Sequence, residues 1–475
     1  MPTHLDLSKP LQIHFVGIGG ISMSALALIL LQRGWQVTGS DLRQSALTKR
    51  LAENGATVYS GHNAANINGA QAIVYTSAIP PDNAELKAAD SQHIPIFTRA
   101  ELLGALMAEA QCSIAVAGSH GKTTTTAMIG LMLDYAKLEP TVLVGGDLEA
   151  IHGNVKVGNS GYLVAEACEY FNSFLALKPG IGVITNIDID HLDYFRDLDA
   201  IKHAFRNFAK LIPPDGYLVA LADDTNVRDI LPNLECQIVT FGLLAGADWQ
   251  AANIELQAGG SSFDVLHKGL PMGRISLRVP GLHNIQNALA AVAVGSVVGL
   301  DMETIICSFA HYQGTHRRFD LQGTYRGAVI YDDYAHHPSE IRATLAAART
   351  FAPPRLICVF QPHTYTRTKA LLQDFAAAFA EADLVLLVDI FAAREQNTSG
   401  ITSAHLAKQM QTTHPKAYYA GSLQNAAAYL RSRLRQGDLL LTMGAGDVYR
   451  IADMLLGKEP GWKPEAAMAI ASNDQ

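Results

Sequence analysis

Residues 113–125 of the chain read Ser-Ile-Ala-Val-Ala-Gly-Ser-His-Gly-Lys-Thr-Thr-Thr, and this stretch decides the fold class. An apolar run ends at glycines, and a lysine and threonines follow where a helical pattern begins. That order is typical of a phosphate-binding loop, in which backbone N–H groups at a helix N-terminus face phosphate oxygens. The full motif has a further glycine where this chain has Val116, so an ordinary glycine-rich turn is the alternative. The stretch predicts a nucleotide site in which Lys122 binds the terminal phosphates and Thr123 reaches Mg²⁺.

The composition excludes several classes of protein. The chain has 475 residues, and its 49% hydrophobic and 17% charged residues exclude global disorder. Since a typical domain has about 150 residues, two or three domains are expected. A net charge of −8 gives no positive field for nucleic acid or an anionic membrane surface. The five cysteines show no C-x-x-C spacing, so neither a zinc site nor a disulfide framework is expected.

The sequence pattern contains no targeting segment that we recognise. The first residues lack the basic and apolar regions of a signal peptide. The longest nearly apolar run, residues 288–300, is shorter than the roughly 18–20 residues of a membrane-spanning helix. We therefore expect a soluble, cytoplasmic protein that is a monomer or a homodimer.

Apolar runs alternate with helical patterns along the chain, as in α/β proteins with parallel sheets. The predicted domains are an N-terminal Rossmann-like domain over 1–108, a central P-loop ATPase-like domain over 109–316 and a C-terminal Rossmann-like domain over 317–460. A loose tail is expected over 461–475, because prolines and polar residues mark the end of the chain. In the third section the pattern predicts one long helix over 369–381.

A second glycine-rich turn follows the first predicted strand. Residues 17–20 read Gly-Ile-Gly-Gly, which fits the beginning of a dinucleotide fingerprint, but Ser22 stands at the third glycine. Asp41, after the second strand, lies near the position of the acidic residue in that fingerprint. The turn is therefore either a site for a nucleotide diphosphate or a plain tight turn.

Polar residues collect after the strands of the second and third sections, where the carboxyl ends of parallel strands form a ligand crevice. Glu166 follows one strand and His191 another, and a carboxylate with a neutral imidazole suits Mg²⁺ or Mn²⁺. His283 precedes a helix whose first amides are able to pair with adenine. Arginines near the later strands offer a planar fork for phosphate or carboxylate. For each residue taken alone, a solvated strand end or a surface histidine is the alternative.

A set of motifs, in this order, resembles the Mur ligases of peptidoglycan synthesis. They read Gly-Ser-His-Gly-Lys-Thr-Thr-Thr at 118–125, Glu-Ala-Cys-Glu at 166–169, Thr-Asn-Ile-x-x-Asp-His-Leu-Asp at 185–193, Pro-Gly-x-His-Asn-x-x-Asn-Ala at 280–288, Arg-Arg-Phe-Asp at 317–320, Asp-Asp-Tyr-Ala-His-His-Pro at 332–338 and Phe-Gln-Pro-His-Thr-Tyr-Thr-Arg at 360–367. Shorter matches near the start extend the resemblance over nearly the whole chain. The motifs are most similar to those of the branch that adds the first amino acid.

The resemblance implies a role for each of the three domains. The first would bind the UDP-sugar through Gly19, Gly20, Ser40, Asp41, Ser77 and Arg99. The second, with the third closing over it, would bind ATP through Gly118, Ser119, His120, Gly121, Lys122, Thr123, Thr124, His283, Asn284, Asn287, Arg318 and Asp333. Mg²⁺, or alternatively Mn²⁺, would be held by Thr123, Glu166 and His191. L-Alanine would be bound by His336, His337 and Arg367.

The resemblance also implies the activity, which is the ATP-dependent joining of L-alanine to the lactyl carboxylate of UDP-N-acetylmuramic acid through an acyl phosphate. Two anions must approach each other in this reaction, so cations are needed at the site. Catalytic roles would fall to Lys122, His191, Arg318 and His336. The reaction belongs to peptidoglycan precursor synthesis, and with it to cell-wall building, cell shape and cell division.

Three positions depart from the family's pattern. Cys168 stands where many relatives have aspartate, Thr364 stands where some have arginine, and Arg206 lies near the slot of a lysine that is carbamylated in several later Mur ligases. Outside the family, the alternatives are an NAD(P)-dependent oxidoreductase, which would rest on residues 17–20 alone, and a P-loop regulatory protein. Inside it, the recycling ligase that adds a whole tripeptide is the nearest alternative, and folate polyglutamylation is more distant.

Overall fold

The computed structural model describes Leu5, Leu7, residues 11–414 and residues 416–458. The fold is α/β, as predicted, with three sheets that follow one another along the chain. The predicted loose tail over 461–475 lies outside the described residues. In the part of the chain that is described, no helix combines the length and the apolar character needed to cross a membrane.

The N-terminal residues form the first sheet and the helices around it. We call this part of the chain the first unit. Its strands are β1 Gln12–Val16, β2 Gln36–Asp41, β3 Thr57–Ser60, β4 Ala72–Tyr75 and β5 Ile96–Thr98. Its helices are α1 Ile21–Gln32, α2 Ala46–Glu53, α3 Ala84–Ser91 and α4 Arg99–Glu109. All neighbouring strands pair in parallel, in the order β3-β2-β1-β4-β5. This is the predicted Rossmann-like arrangement.

The second unit contains the largest sheet. Its strands are β6 Cys112–Ala117, β7 Thr141–Leu148, β8 Gly153–Lys156, β9 Tyr162–Glu166, β10 Ile181–Ile184, β11 Tyr217–Leu221, β12 Gln237–Gly242, β13 Trp249–Gln257, β14 Gly260–His267 and β15 Leu270–Leu277. Its helices are α5 Lys122–Tyr135, α6 Leu198–Ala209, α7 Thr225–Ile230, α8 Leu282–Val298 and α9 Met302–Ser308. The strand order is β15-β14-β13-β12-β11-β10-β6-β9-β7-β8. β14, β15 and β8 pair antiparallel at the two sides of a parallel centre.

The third unit repeats the α/β pattern. Its strands are β16 Asp320–Tyr325, β17 Ala328–Asp333, β18 Leu356–Phe360, β19 Leu384–Val388, β20 Ala417–Gly421 and β21 Leu439–Met443. Its helices are α10 Pro338–Arg349, α11 Tyr365–Ala370, α12 Leu372–Ala377, α13 Ser403–Met410, α14 Leu423–Arg433 and α15 Arg450–Leu456. The order is β16-β17-β21-β18-β19-β20, and only the edge strand β16 runs antiparallel to its neighbour. The bounds of the three domains stay a prediction.

Buried apolar residues explain why the central strands and helices form. β18 and β21 are buried along their whole length, as expected for parallel strands that helices cover on both faces. α8 is apolar on nearly every side because it packs against α5 and the second sheet. This packing fixes the N-terminal end of α5, where the glycine-rich loop enters.

The prediction of one helix over 369–381 is wrong. The structure has two short helices, α11 and α12, with a break at Leu371, whose φ of −104° and ψ of 23° are not helical. The side chain of Leu371 packs into the core beside the third sheet. Burial of this leucine therefore outweighs the continuation of the helix.

Candidate active site

The loop between β6 and α5 is shaped to receive an anion. Gly118 has φ +143° and Gly121 has φ +81°, a backbone region that favours glycine. A Cβ on Gly121 would lie 2.5 Å from Asn287 Oδ1, and one on Gly118 would collide with Thr185 Oγ1. Helix α5 begins at Lys122 without a side-chain cap, so its first N–H groups are left for a ligand.

Lys122 folds back into this loop and pairs with a carboxylate. Its Nζ donates to the carbonyls of Gly118 and Ser119 and lies 3.0 Å from Glu169 Oε2. Burial, which lowers the pKa of Lys122, is outweighed by the Glu169 carboxylate, so this pKa lies above its usual value. Burial raises the pKa of Glu169, but the charge of Lys122 outweighs burial, so the pKa of Glu169 is lowered. A phosphate that binds Lys122 therefore competes with Glu169 and with the two carbonyls for the hydrogens of this ammonium group.

Glu169 also faces His191. The Nε2 atom of His191 lies 3.5 Å from Glu169 Oε1, and its ring stacks on Tyr170 with 4.5 Å between ring centroids. The φ of His191 is +53°, a strained value for a residue with a side chain. Stacking and backbone together hold this imidazole in one orientation.

The other two predicted metal ligands flank one segment of β7. Glu166 ends β9 and accepts a hydrogen bond from the backbone N–H of Gly145. A Cβ on Gly146 would lie 3.6 Å from Thr123 Cγ2. Thr123 and Glu166 therefore approach the same pair of glycines, whereas His191 contacts Glu169.

Asp333 fixes the backbone around Arg318. Its carboxylate accepts from the N–H groups of Phe319 at 2.8 Å and Ala335 at 2.7 Å. Burial raises the pKa of Asp333 to about 6, although Arg318 acts in the opposite direction. Arg318 itself lies with its NH1 atom 3.7 Å from Glu340 Oε1. Both predicted residues thus belong to one connected group.

His120 connects the glycine-rich loop to the third unit. Its Nε2 lies 3.3 Å from Asp188 Oδ2, and its Nδ1 lies 3.3 Å from Glu340 Oε1. Burial opposes the charge, but Glu340 and Asp188 raise the pKa of His120 to about 9. The loop is held from the other side by Asn186, which accepts from the N–H of His120 at 2.8 Å and donates to its carbonyl at 3.0 Å.

His337 uses both ring nitrogens at the boundary between the second and third units. Its Nε2 donates to the carbonyl of Ile189 at 2.9 Å, and its Nδ1 lies 3.5 Å from Asp188 Oδ2. Burial and the neighbouring His120 lower the pKa of His337. His120, Asp188 and His337 offer ligand atoms within 4.8 Å of one another, a spacing that also suits a metal ion. The predicted contact of His337 with L-alanine would require these bonds to rearrange.

His336 is a neutral histidine with one nitrogen engaged. Its Nδ1 donates to the carbonyl of Tyr334 at 2.9 Å, which leaves Nε2 as a proton acceptor. Burial and the charge of Arg367 lower the pKa of His336 to about 3. The charge of Glu340 raises this pKa but is outweighed. Its ring centroid lies 5.8 Å from that of His363.

A cavity of about 440 Å³ is lined by residues of all three units. Ser77 comes from the first, His191 from the second and Arg367 from the third. Arg367 donates to Asp190 Oδ1 through Nε at 3.0 Å and NH2 at 2.7 Å. Burial raises the pKa of Asp190, but the charge of Arg367 outweighs burial and holds this pKa well below its usual range. We call this space the three-unit cavity.

A second cavity, of about 400 Å³, lies between α5, α8 and α10. It is lined by the predicted ATP residues His120, Gly121, Thr124, His283, Asn284, Asn287, Arg318 and Asp333. Burial and the charge of Arg318 lower the pKa of His283 to about 4, so this ring is neutral. Asn287 donates to Asn284 Oδ1 at 3.3 Å and accepts from Thr125 at 3.2 Å, so these amides now bind each other and α5. We call this space the nucleotide cavity.

The predicted UDP-sugar residues are divided among several places in the first unit and the three-unit cavity. Asp41 Oδ2 accepts from the N–H of Gly19 at 2.9 Å, which joins the glycine turn to the end of β2. Ser77 lies in the three-unit cavity, and Arg99 begins α4. The side chain of Ser40 is fully buried and donates to Glu85 at 2.6 Å, so its hydroxyl faces the interior of the first unit. Gly20 precedes α1 as its N-cap.

Four carboxylates organise the site although the sequence analysis committed no role to them. They are Glu169, Asp188, Asp190 and Glu340. Glu169 closes the Glu-Ala-Cys-Glu motif, and Asp188 and Asp190 precede His191 at alternate positions, so their place after buried strands was a usable signal. Glu340 stands three residues after His337, the spacing of a capping box.

Three regions of the chain match parts of one protein family. Residues 12–111 match the Mur ligase family catalytic domain, residues 116–295 the Mur ligase middle domain and residues 317–446 the Mur ligase glutamate ligase domain. A UDP-N-acetylmuramate–L-alanine ligase of Alkaliphilus metalliredigens is 48% identical over 96% of this chain and 99% of its own. One of Caldanaerobacter subterraneus is 48% identical over 95% of this chain and 98% of its own.

Solved structures agree with this relationship. The UDP-N-acetylmuramate–alanine ligase of Thermotoga maritima superposes with a TM-score of 0.78 and 28% identity over 94% of this chain and 99% of that one. A murein peptide ligase of Psychrobacter arcticus gives a TM-score of 0.69 and 25% identity over 94% of this chain and 98% of that one. Three matched regions in order, and relatives of nearly equal length, lead to one conclusion: the chain belongs to the Mur ligase family.

Proposed function

We propose that this chain is an ATP-dependent ligase that joins L-alanine to the lactyl carboxylate of UDP-N-acetylmuramate. The observation that carries the proposal is the meeting of Lys122 and His191 at Glu169. Lys122 belongs to the loop beside the nucleotide cavity, and His191 lines the three-unit cavity. A phosphate and an acceptor carboxylate would meet there. Relatives named for this activity are 48% identical over nearly their whole length.

ATP would occupy the nucleotide cavity with its phosphates at the N-terminus of α5. Unbonded N–H groups and the positive end of the helix favour the anion there. Lys122 would exchange Glu169 for a phosphate oxygen. Arg318, which lines the same cavity, would stabilise the charge that develops during transfer.

Mg²⁺ would be held by Thr123, Glu166 and His191. A hydroxyl, a carboxylate and an imidazole that is held by stacking form a donor set that suits Mg²⁺, and Mn²⁺ fits the same donors. When bound, the ion supplies positive charge to the terminal phosphates. The chain's own contribution is to place Glu166 and Thr123 beside the glycines of β7 and to hold His191 against Glu169 and Tyr170.

The reaction would proceed in two balanced steps. The lactyl carboxylate attacks the γ-phosphorus, a new C–O–P linkage forms, and ADP leaves. The alanine ammonium loses a proton, its nitrogen attacks the acyl carbon, the C–O bond to phosphate breaks, and a second proton leaves as the amide forms. Neutral His336, whose Nε2 is an acceptor, would orient the alanine nitrogen by accepting a hydrogen bond, both protons would pass to solvent, and Arg367 would bind the alanine carboxylate.

Release of phosphate from Mg-ATP tests the proposal directly. The enzyme would be assayed with UDP-N-acetylmuramate and, in turn, L-alanine, glycine, L-serine, D-glutamate or the muropeptide tripeptide. We expect the fastest release with L-alanine, together with a UDP-sugar product heavier by one alanyl residue in mass spectrometry. Lys122→Met serves as the inactive control, because it removes the phosphate-binding cation.

Two other results would overturn the assignment in different ways. Phosphate release with the tripeptide alone would keep the mechanism but assign the chain to the recycling branch. A folded protein that binds ADP but releases no phosphate with any acceptor would refute the substrates. We further propose that the protein acts in the cytoplasm, where ATP is supplied, as part of peptidoglycan precursor synthesis.

A further inference from the structure

Glu340 lies where the nucleotide cavity meets the amino-acid side of the site. It is the third residue of α10, follows the two histidines His336 and His337, and lines the nucleotide cavity. Its side chain is 11% exposed. No role follows for it from the proposed reaction, although its two carboxylate oxygens have separate sets of partners.

One oxygen serves the amino-acid side. Oε2 accepts from the backbone N–H of His336 at 3.0 Å and of His337 at 3.3 Å. The same oxygen lies 3.3 Å from His336 Nδ1, the nitrogen that also donates to Tyr334. Oε2 therefore fixes both the main chain and the ring of His336, whose free Nε2 would accept a hydrogen bond from the alanine nitrogen.

The other oxygen serves the nucleotide side. Oε1 lies 3.3 Å from Nδ1 of His120, in the glycine-rich loop, and 3.7 Å from NH1 of Arg318. Burial would favour a neutral carboxyl, but His336, His120 and Arg318 hold the pKa of Glu340 well below its usual range. A charged carboxylate thus lies between two cationic groups that come from different units.

Capping of α10 does not account for this arrangement. In α4 the corresponding glutamate, Glu101, makes a capping box with Thr98, and both bonds from Thr98, at 2.6 and 2.8 Å, go to the same oxygen, Oε2. A cap of this kind therefore needs one carboxylate oxygen. In Glu340 the cap leaves Oε1 for the loop and the arginine.

We propose that Glu340 is a positioning residue for the transfer, holding His336 at the amino-acid side and His120 and Arg318 at the nucleotide side through different oxygens of one carboxylate. The proposal rests on the proposed ligase function. Because one rigid carboxylate holds groups at the amino-acid side and at the nucleotide side, its loss should displace the groups at both sides. A displacement near 1 Å at a reacting group costs roughly 100-fold in rate.

Glu340→Gln tests this proposal because it keeps the shape and removes the charge. We expect kcat to fall about 100-fold, and the KM values for ATP and for L-alanine both to rise. Glu101→Gln measures what a lost cap charge costs in Tm, and Glu340→Gln should lower Tm by more than that, because His120 and Arg318 also lose a buried anionic partner. Glu381→Gln is the activity control. It removes an exposed carboxylate whose Oε2 lies 3.7 Å from Nε of Arg349, and Arg349 is at the opposite end of α10 from Glu340.

A second readout separates positioning from capping. The ring of His120, followed by NMR, should titrate near pH 9 in the wild type and at a lower pH in Glu340→Gln, because its main anionic partner is gone. The affinity for ADP, measured by calorimetry, should fall in the same variant. The His120 titration reports whether this contact exists, and the affinity for ADP would not change if Glu340 only capped α10.

Several results would overturn the proposal. One is a folded Glu340→Gln with kcat and both KM values within twofold of the wild type; another is a rise in only one KM. If Glu340→Gln does not fold, Glu340→Asp keeps the charge but draws it back by one methylene group, and unchanged kinetics there would refute the proposal as well. Should the wild type make no alanyl product, the ligase function fails, while ADP affinity and the His120 titration still judge the contacts of Glu340.

Discussion

Lys122 and Glu169 form a buried ion pair, in which Nζ lies 3.1 and 3.0 Å from the two carboxylate oxygens. The side chain of Glu169 is only 3% exposed, and His191 is its other partner. A nucleotide phosphate therefore competes with an internal anion for the same lysine. The ion pair connects stability to nucleotide binding, and both are open to measurement.

Replacing Lys122 with Met should cost both stability and activity. The change leaves Glu169 buried without its lysine, and breaking a buried pair costs about 3–5 kcal/mol. Denaturant unfolding should show this loss, whereas Lys202→Met, which breaks a partly exposed pair with Asp229, should cost less than about 1 kcal/mol. The double variant Lys122→Met/Glu169→Gln should regain stability but not phosphate release. Equal stability of the single and double variants would contradict the pairing.

The contacts of His120 should make stability depend on pH. Its pKa is raised from 6.5 to about 9, so its stabilising charge is fully present below pH 6.5 and is lost as pH rises through 9. The free energy of unfolding of the wild type, minus that of His120→Gln, should therefore decrease over this interval by on the order of 2 kcal/mol. A difference that stays constant from pH 6 to about 9.5 would show that His120 is not charged in the folded protein.

Arg367→Lys should weaken binding of the amino acid without affecting ATP. Arg367 donates twice to Asp190, and its planar fork suits a carboxylate, which a lysine cannot bind in the same way. We expect KM for L-alanine to rise about tenfold or more, with KM for ATP within twofold. Arg433→Lys, at the end of α14, is the matched control. A rise in both KM values would mean that Arg367 acts on the whole interface between the units.

His191→Ala should raise the Mg²⁺ concentration needed for half-maximal activity by about tenfold, the effect expected when one ligand of an oxygen-rich site is lost. Initial rates of ADP release over a Mg²⁺ titration would show it. His316→Ala, which removes a half-exposed histidine that pairs with Asp320, provides the comparison. An unchanged titration would remove His191 from the metal site.

Much of the fold was predictable because buried parallel strands are continuous apolar runs. Residues 356–360 and 439–443 are runs of this kind, and they form β18 and β21. Short edge strands such as β3 and β5 were missed, since three or four residues give too little pattern to separate a strand from a loop. The break at Leu371 was missed because only tertiary packing distinguishes it from a helical position.

The candidate site was predictable in part. The role of Lys122 could be predicted because the glycines and threonines typical of a phosphate-binding loop lie next to it in the sequence. The role of Glu340 could not be predicted, because it depends on contacts with His120 and Arg318, which are distant from Glu340 in the sequence. Ser40 shows the opposite case: it stands in a motif, yet its hydroxyl binds the buried Glu85. A motif identifies a segment, whereas orientation depends on the packing around it.

The three-unit cavity has a consequence for inhibition. Because its wall is assembled from Ser77, His191 and Arg367, a compound that fills it would contact all three units. Separation of the units would break these contacts together, so residence time should depend on opening of the protein as well as on the strength of each contact. Weakening the Arg367–Asp190 pair by Asp190→Asn should shorten that residence time in a surface-binding experiment. Unaltered dissociation in that variant would show that the compound leaves without opening.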